Sequence, residues 1–116
     1  MKLTEVVVYV HDFPRSLVYY RDTLGLPVLF SHVDKEHGIA RVYAGGASIL
    51  IHQMPANEPL PPPLPSFTAD DLDADVQTLN SRGAAVSVAV DQGWGRISHF
   101  HDPDGNRLCI YKEHSR

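Results

Sequence analysis

The sequence predicts an α+β fold of two tandem βαβββ modules, and three observations support this. Residues 97–111 alternate like two strands joined by the turn Asp102-Pro103-Asp104-Gly105-Asn106, whose proline and glycine favour a tight hairpin. A shift of the chain against itself by 59 positions places Asp12 on Asp71 and Gly45-Gly46 on Asp104-Gly105. Each of these two aspartates is followed by apolar residues at intervals of four, three and four positions, which is the spacing of one helix face. No insertion or deletion is needed to align the copies, so both should contain the same elements.

The first module begins with a β-branched run. Residues 5–10 are predicted to form a strand, because valine is enriched in sheets. Asp12 should cap a helix over about residues 14–24, with Pro14 in its first turn and Gly25 at its end. Three strands are expected next, at about residues 27–33, 39–43 and 47–52, and the turn at Gly45-Gly46 joins the last two.

The second module follows a connector with six prolines, residues 54–65, which should be extended and lie on the surface. A spacer, a lid over a site and a ligand for a proline-binding domain are all open roles for it. Beyond the connector we expect a strand at 64–69, a helix at 72–82, and strands at 84–90, 96–101 and 107–112. A module of this size is too small to hold a substantial core alone. We therefore expect one domain over residues 1–116, made of module one (1–53), the connector and module two (64–116).

Composition narrows the classes of partner. The chain has 116 residues, 43% of them hydrophobic, and a net charge of −4 without a basic run. This balance argues against nucleic acid or an anionic membrane and is compatible with a neutral or cationic small ligand. No stretch is long and apolar enough for a membrane span or a secretory signal, so a cytoplasmic location is expected. One cysteine excludes an internal disulfide framework.

Four separated motifs stand out along the chain. They are Asp12-Phe13-Pro14-Arg15-Ser16 with Tyr19-Tyr20 and Leu24-Gly25-Leu26, then Asp71-Leu72-Asp73-Ala74, then Trp94-Gly95, and finally Asp102-Pro103-Asp104-Gly105-Asn106. Together they resemble the vicinal oxygen chelate superfamily, which includes glyoxalase, bleomycin-resistance proteins and extradiol dioxygenases. The resemblance covers nearly the whole chain and implies a cupped, barrel-like mixed sheet, with chains often assembled as homodimers.

In metal-using members of that superfamily, the resemblance implies ligands on the first and last strands of each module. Those positions here are Glu5, Leu50, Leu64 and Cys109. The two leucines have no donor atoms, whereas such a site needs three or four converging nitrogen, oxygen or sulfur donors. Replacement donors would have to come from His52, or from His99 or His101. A site without a metal is therefore expected, and a divalent metal in a rearranged site is the alternative.

Several residues are candidates for a ligand cavity, and each also has a purely structural interpretation. Glu5 is either a solvated edge carboxylate or an inward-facing acid that could act as a base or pair with a cationic ligand. Cys109 is a small core residue or a nucleophile, and His52 is a hydrogen-bonded sheet histidine or a cavity residue. Trp94 either packs at the rim or stacks on a flat ligand. The candidates for an apolar or aromatic wall are Leu50, Leu64, Phe67, Trp94 and Tyr111.

Three classes of function compete, and the third, assembly with a partner protein, has no positive feature in the sequence beyond the proline-rich connector. The first is a homodimeric binding protein of the bleomycin-resistance type, which sequesters a planar, drug-like or cationic small molecule without chemistry. The second is an enzyme: a metal-dependent lyase, isomerase or dioxygenase built on Glu5, His52 and Cys109, or a metal-free isomerase with Glu5 as base beside His52. Convergence of Glu5 and His52 within hydrogen-bond reach would favour the enzyme.

Overall fold

The computed structural model describes residues 1–34 and 37–115 and confirms the α+β class with the order βαβββ twice. The first copy contains β1 (Lys2–Val10), α1 (Phe13–Val18), a π-helical turn (Tyr19–Thr23), β2 (Val28–Val33), β3 (Gly38–Tyr43) and β4 (Ser48–Gln53). The second contains β5 (Leu64–Thr68), α2 (Leu72–Ser81), β6 (Val90–Asp91), β7 (Gly95–His101) and β8 (Arg107–Glu113). No helix among the described residues is long and apolar enough to cross a membrane.

The chain divides into two compact units. The first unit is Glu5–Pro63, and the second joins Met1–Thr4 to Leu64–Arg116. Strand order is β2-β3-β4-β1 in the first unit and β5-β8-β7-β6 in the second. In both, the first and last long strands pair in parallel, with Val7 opposite Leu50 and Ser66 opposite Cys109. These pairs are related by the 59-residue shift, so the sequence repeat corresponds to a repeat of strand register.

The repeat also governs the helix starts. Asp12 Oδ1 accepts a hydrogen bond from the Arg15 N–H at 3.2 Å, and Asp71 Oδ1 accepts one from the Ala74 N–H at 3.1 Å. Both aspartates are therefore N-caps, as the sequence predicts. The first helix is α-helical only to Val18 and ends in the π-helical turn, which is a departure from the continuous helix expected to residue 24.

Two further expectations are wrong. The expected strand at 84–90 forms only at Val90–Asp91. Ala85 has a φ of +54°, and the Asn80 side chain accepts a hydrogen bond from the Val86 N–H at 2.6 Å and donates one to the Val86 carbonyl at 3.3 Å. The alignment also needs one insertion: Tyr43 pairs with Ser48, whereas His101 pairs with Arg107 across a turn one residue longer. The Asp102 carboxylate fills that longer turn by accepting bonds from the backbone of residues 104 and 106.

Each helix covers one face of its own sheet. Under α1 the buried residues are Phe13, Ala40, Val42 and Ile51. Under α2 they are Ala69, Leu72, Val86, Phe100 and Ile110. Because side chains alternate along a strand, the neighbours of these residues point to the opposite face. We call that side of β1–β4 the open face of the first unit; it carries Glu5, Val7, Tyr9, Phe30, Ile39, Arg41, Tyr43, Leu50 and His52.

Candidate functional site

The centre of the open face is an ion pair at the first of the four positions that the resemblance identifies. Glu5 is only 4% exposed, and its Oε1 accepts a hydrogen bond from Arg41 Nε at 2.6 Å. Strand β4 lies between β1 and β3, and Arg41 stands opposite Leu50. The arginine side chain therefore crosses β4 beside Leu50 to reach the carboxylate. A fixed positive charge is thus paired with Glu5.

Arg41 is restrained from a second side by an aromatic ring. Its guanidinium carbon lies 5.1 Å from the centroid of Phe30, which stands opposite Arg41 on β2. This distance is within the range of a cation–π contact. The Arg41 side chain is 25% exposed and Phe30 is 39% exposed, so both remain accessible from solvent.

His52 lies further along β4, on the same face. Its ring meets Tyr9 edge-on at 5.7 Å, and its Nδ1 is buried without a hydrogen-bond partner among the described residues. Burial and the nearby His37 lower the pKa of His52 below its usual 6.5. A protonated imidazole has two N–H donors, and each needs an acceptor when it is buried. Because the buried Nδ1 has no such acceptor among the described residues, the neutral ring is favoured. We infer that His52 is uncharged at pH 7.

Glu5 and His52 share the open face without converging. Glu5 stands opposite Ser48, and His52 stands opposite Tyr9. Four residues along a strand correspond to about 13 Å. The carboxylate contacts Arg41 and the imidazole contacts Tyr9, so the acid–base pair that would favour an isomerase is not brought together.

In the second unit, the equivalent positions are linked by two hydrogen bonds. The Cys109 thiol donates to Ser66 Oγ at 3.2 Å, and the Ser66 hydroxyl donates to the Leu64 carbonyl at 3.0 Å. Cys109 and Ser66 are each 1% exposed, and Leu64 is also buried. The buried Cys109 sulfur is thus within hydrogen-bond distance of a neutral hydroxyl, whereas a reactive cysteine lies in an electropositive, partly exposed environment.

The aromatic candidates of the second unit lie on different faces. Tyr111 is on the Cys109 side of β8, and the half-exposed Trp94 meets its ring edge-on at 5.6 Å. Phe67 is on the other side of β5, where it packs with the core under α2 and lies 6.4 Å from the Phe100 ring. Trp94 is therefore the more accessible of these rings.

His99 and His101 lie on β7, on the same side as Cys109. His99 stands opposite Cys109, and its Nδ1 is 3.5 Å from Arg107 Nη2. Burial, followed by Arg107 and His101, lowers the pKa of His99 below 6.5. A nearby guanidinium disfavours a bound cation in the same way that it disfavours an imidazolium.

A separate surface cavity of about 380 Å³ lies at the start of α2. Four of its side chains are carboxylates and two are cations, and the cations already have partners. Arg96 donates to both oxygens of Asp73, at 3.0 and 3.1 Å, and Lys112 donates to the Asp70 carbonyl. The hydrogen bonds from Arg96 hold the pKa of Asp73 below its usual 3.8. Negative side chains therefore outnumber positive ones around this cavity.

A family model described as the Glyoxalase/Bleomycin resistance protein/Dioxygenase superfamily matches residues 2–110. The chain belongs to this superfamily. YraH of Bacillus subtilis strain 168, an uncharacterized protein, is 27% identical over 126 aligned residues, which cover 97% of this chain and 98% of YraH.

Solved structures of the superfamily fold match almost the entire chain. A hypothetical protein from Bacillus halodurans C-125 superposes with a TM-score of 0.75 at 13% identity, over 99% of this chain and 96% of that one. Methylmalonyl-CoA epimerase from Mycobacterium tuberculosis gives 0.73 at 19% identity, over 98% and 89%. A superfamily member from Vibrio splendidus gives 0.71 at 17% identity, over 93% and 96%. At these identities the likeness shows the fold alone.

The residues at the four superfamily metal positions do not fit a divalent ion. Leu50 and Leu64 offer no donor atom, Glu5 is paired with a guanidinium, and the Cys109 thiol donates a hydrogen bond to Ser66. A metal ion at Glu5 would have to displace Arg41 or lie beside its positive charge. Among residues 1–34 and 37–115, no three histidine, cysteine, aspartate or glutamate side chains are grouped to hold a metal.

Arg41 is the residue that sequence reasoning missed. Its signal was present, because β3 reads as an alternating strand and a charge falls on the same side as Ile39 and Tyr43. What the pattern could not give is the partner. The ion pair joins residues 36 positions apart on strands that are not neighbours, so only the strand order reveals it.

Proposed function

We propose that this superfamily member binds a small, drug-like molecule without using a metal ion. The observation that carries the proposal is the Glu5–Arg41 ion pair, which supplies an organic cation to the only carboxylate at the four metal positions. Because Arg41 already offsets the charge of Glu5, the pair does not favour the cationic ligand that a bare carboxylate would attract. The ligand is sequestered rather than transformed, as in bleomycin-resistance proteins.

The accessible side chains support this binding role. On the open face, Phe30 and Tyr43 are exposed, and Tyr9, Leu50 and His52 are partly exposed, so a flat molecule would find an aromatic surface with a few polar groups. Trp94 offers a further exposed ring in the other unit. The proposed ligand-binding residues are Glu5, Leu50 and His52 on the open face of the first unit, with Arg41 and Phe30 added. In the second unit Trp94 is the candidate, because Phe67 packs in the core under α2 and the other three residues predicted there, Leu64, Cys109 and Tyr111, are buried.

We further propose that the protein is a cytoplasmic homodimer in one domain over residues 1–116. The superfamily resemblance supports the dimer, and the modest negative charge, −4, supports a small ligand over nucleic acid or a membrane. Sedimentation equilibrium measures the mass of the purified protein in solution. We expect twice the mass of one chain, and a mass equal to that of one chain would contradict the dimer.

The decisive experiment is a metal analysis followed by ligand screening. The protein is dialysed against Zn²⁺, Ni²⁺, Mn²⁺ or Fe²⁺, then against buffer, and its metal content is measured by mass spectrometry beside Glu5→Gln. We expect no stoichiometric ion in either protein, and saturable shifts of Trp94 fluorescence or of melting temperature with members of a fragment library. An ion at one per chain that is lost in Glu5→Gln would refute the proposal and favour the metal-dependent lyase, isomerase or dioxygenase.

A further inference from the structure

We propose that the end of the β7–β8 hairpin binds the carboxylate of a small organic anion through Arg107, with His99 and His101 beside it. These three side chains are called the basic cluster. The site lies in the second unit, so it goes beyond the ligand proposed for the open face of the first unit and does not depend on it.

The sheet brings the basic cluster together on one side of two neighbouring strands. His101 stands opposite Arg107, and His99 lies two residues before His101 and so on the same side. The Asp102 N–H donates to the Asn106 carbonyl across the turn, so His101 and Arg107 form the closely spaced type of antiparallel pair. The Cα atoms of such a pair are about 4.5 Å apart, and their side chains are neighbours.

The basic cluster is accessible and offers N–H donors. His101 and Arg107 are exposed, and His99 is partly exposed. Arg107 Nη2 lies 3.5 Å from His99 Nδ1, and a guanidinium can only donate. Nδ1 therefore faces it as an acceptor, and the proton of the neutral ring lies on Nε2. An oxyanion would find donors from both side chains at this place.

Arg107 differs from the other two arginines on the described strands. Arg41 is bonded to Glu5, and Arg96 donates to both oxygens of Asp73. Among residues 1–34 and 37–115, no carboxylate forms an ion pair with Arg107, whose side chain contacts an imidazole of the cluster instead. A guanidinium stays charged in proteins, so this charge has no counterion within the described chain.

The acidic residues closest along the chain are engaged elsewhere or too far away. The Asp102 carboxylate accepts hydrogen bonds from the backbone of residue 104 and from the backbone and side chain of Asn106. Asp104 lies in the exposed turn and forms no ion pair with a described residue. On the side of β8 that carries Arg107, Glu113 is six residues away, or about 20 Å along the strand. An external anion is the group that would pair with this arginine.

The repeat indicates that the anion is a carboxylate. His99 is the counterpart of Arg41, because each stands opposite the superfamily metal position on the last strand of its unit. In the first unit β1 supplies Glu5 to that arginine, whereas the matching position of β5 is Leu64. The second unit thus has basic groups at this place without the carboxylate that offsets the charge in the first. A carboxylate also matches the planar donor fork of an arginine.

The test is an NMR titration of the ¹⁵N-labelled full chain with benzoate, benzamide and benzamidinium, which share a ring and differ in charge. We expect benzoate to shift the amide signals of the basic cluster and to bind there about tenfold more tightly than benzamide, the effect of one charge-assisted contact. Benzamidinium should leave these signals unchanged, because it would face a guanidinium. Stronger binding of benzamidinium than of benzoate at these signals, or no saturable shift with benzoate, overturns the proposal.

Arginine variants assign the response to one side chain. Arg107→Gln should weaken benzoate by about tenfold, since it removes the charge of an exposed residue. Arg96→Gln is the matched control, because Arg96 lies in the same pair of strands, on the other side, and is already bonded to Asp73. It should leave the benzoate affinity unchanged. Equal affinity in Arg107→Gln and the native chain refutes the site.

A second pair of variants keeps Arg107 in place. His101→Asp puts a carboxylate opposite Arg107 and should abolish the response to benzoate, whereas His101→Asn has the same shape without the charge and should retain most of it. Equal responses in these two variants refute the role of Arg107. Signals from the open face of the first unit are read in the same spectra, so a failure of the proposed function there is distinguished from a failure of this site.

Discussion

Replacing Arg41 with methionine should destabilise the protein by about 3 kcal/mol. The change removes the partner of a carboxylate that is 4% exposed, and breaking a buried ion pair from one side costs about 3–5 kcal/mol. The lower end applies here because a quarter of the Arg41 side chain is exposed, so water can replace part of the lost contact. Such a loss is a large fraction of the roughly 5–15 kcal/mol that stabilises an ordinary domain.

The assay is urea unfolding at pH 7, followed by far-ultraviolet circular dichroism, on a double-mutant cycle. The cycle comprises the native chain, Arg41→Met, Glu5→Leu and the double variant. Glu5→Leu alone leaves the arginine side chain without that acceptor, and the double variant replaces both charges by apolar groups. We expect the double variant to recover at least about 2 kcal/mol relative to Arg41→Met. A loss below about 0.5 kcal/mol in Arg41→Met would refute the pair as a source of stability.

Three further predictions concern the supporting structure. Ser98→Ala should stabilise the protein by about 1 kcal/mol in urea unfolding, because Ser98 Oγ is buried without a described partner, whereas Ser66→Ala should destabilise it. Gly38→Ala should lower the free energy of unfolding by about 1–3 kcal/mol, because the added carbon overlaps the Phe13 ring. Phe13→Leu should restore part of this loss in the double variant. If the losses of the two single variants simply add in the double variant, the clash is contradicted. Because burial lowers the pKa of His52, stability should fall below about pH 6.5, and less so in His52→Gln; equal pH profiles would contradict this.

Much of the fold could be predicted from the sequence because its signals are local. The capping aspartates, the turn glycines and the period-two strands each act over a few residues, and the 59-residue repeat extends them to the whole chain. The failed strand at 84–90 shows the limit of such signals. Its alternating Ala-Val-Ser-Val pattern favours an extended chain, but the Val86 N–H donates a hydrogen bond to the Asn80 side chain at 2.6 Å instead of to a neighbouring strand. A side chain six residues away cannot be read from the alternation.

The candidate site was harder to predict for the same reason. The leucines at positions 50 and 64 have no donor atoms, and this could be read directly because the identity of a residue is visible in the sequence. The hydrogen-bond partners of the two remaining donor residues, Glu5 and Cys109, could not be predicted from the sequence. Whether Glu5 is bare or paired depends on a side chain that crosses β4, and whether Cys109 is a thiol or a thiolate depends on Ser66 in the adjacent strand.

These two contacts lie beside the two leucines, which carry no donor atoms. A carboxylate at 4% exposure costs free energy unless it is paired, and the Arg41 guanidinium supplies a charged hydrogen-bond partner for Glu5 beside Leu50, which has no donor atom. Leu50 lies opposite Arg41 and leaves a path across β4 that carries no competing charge. In the other unit, the buried thiol is satisfied by donating to Ser66, which in turn donates to the backbone of Leu64. At the four superfamily metal positions, the donor atoms that remain are thus held by hydrogen bonds within the protein, to a charged guanidinium in the first unit and to a neutral hydroxyl in the second.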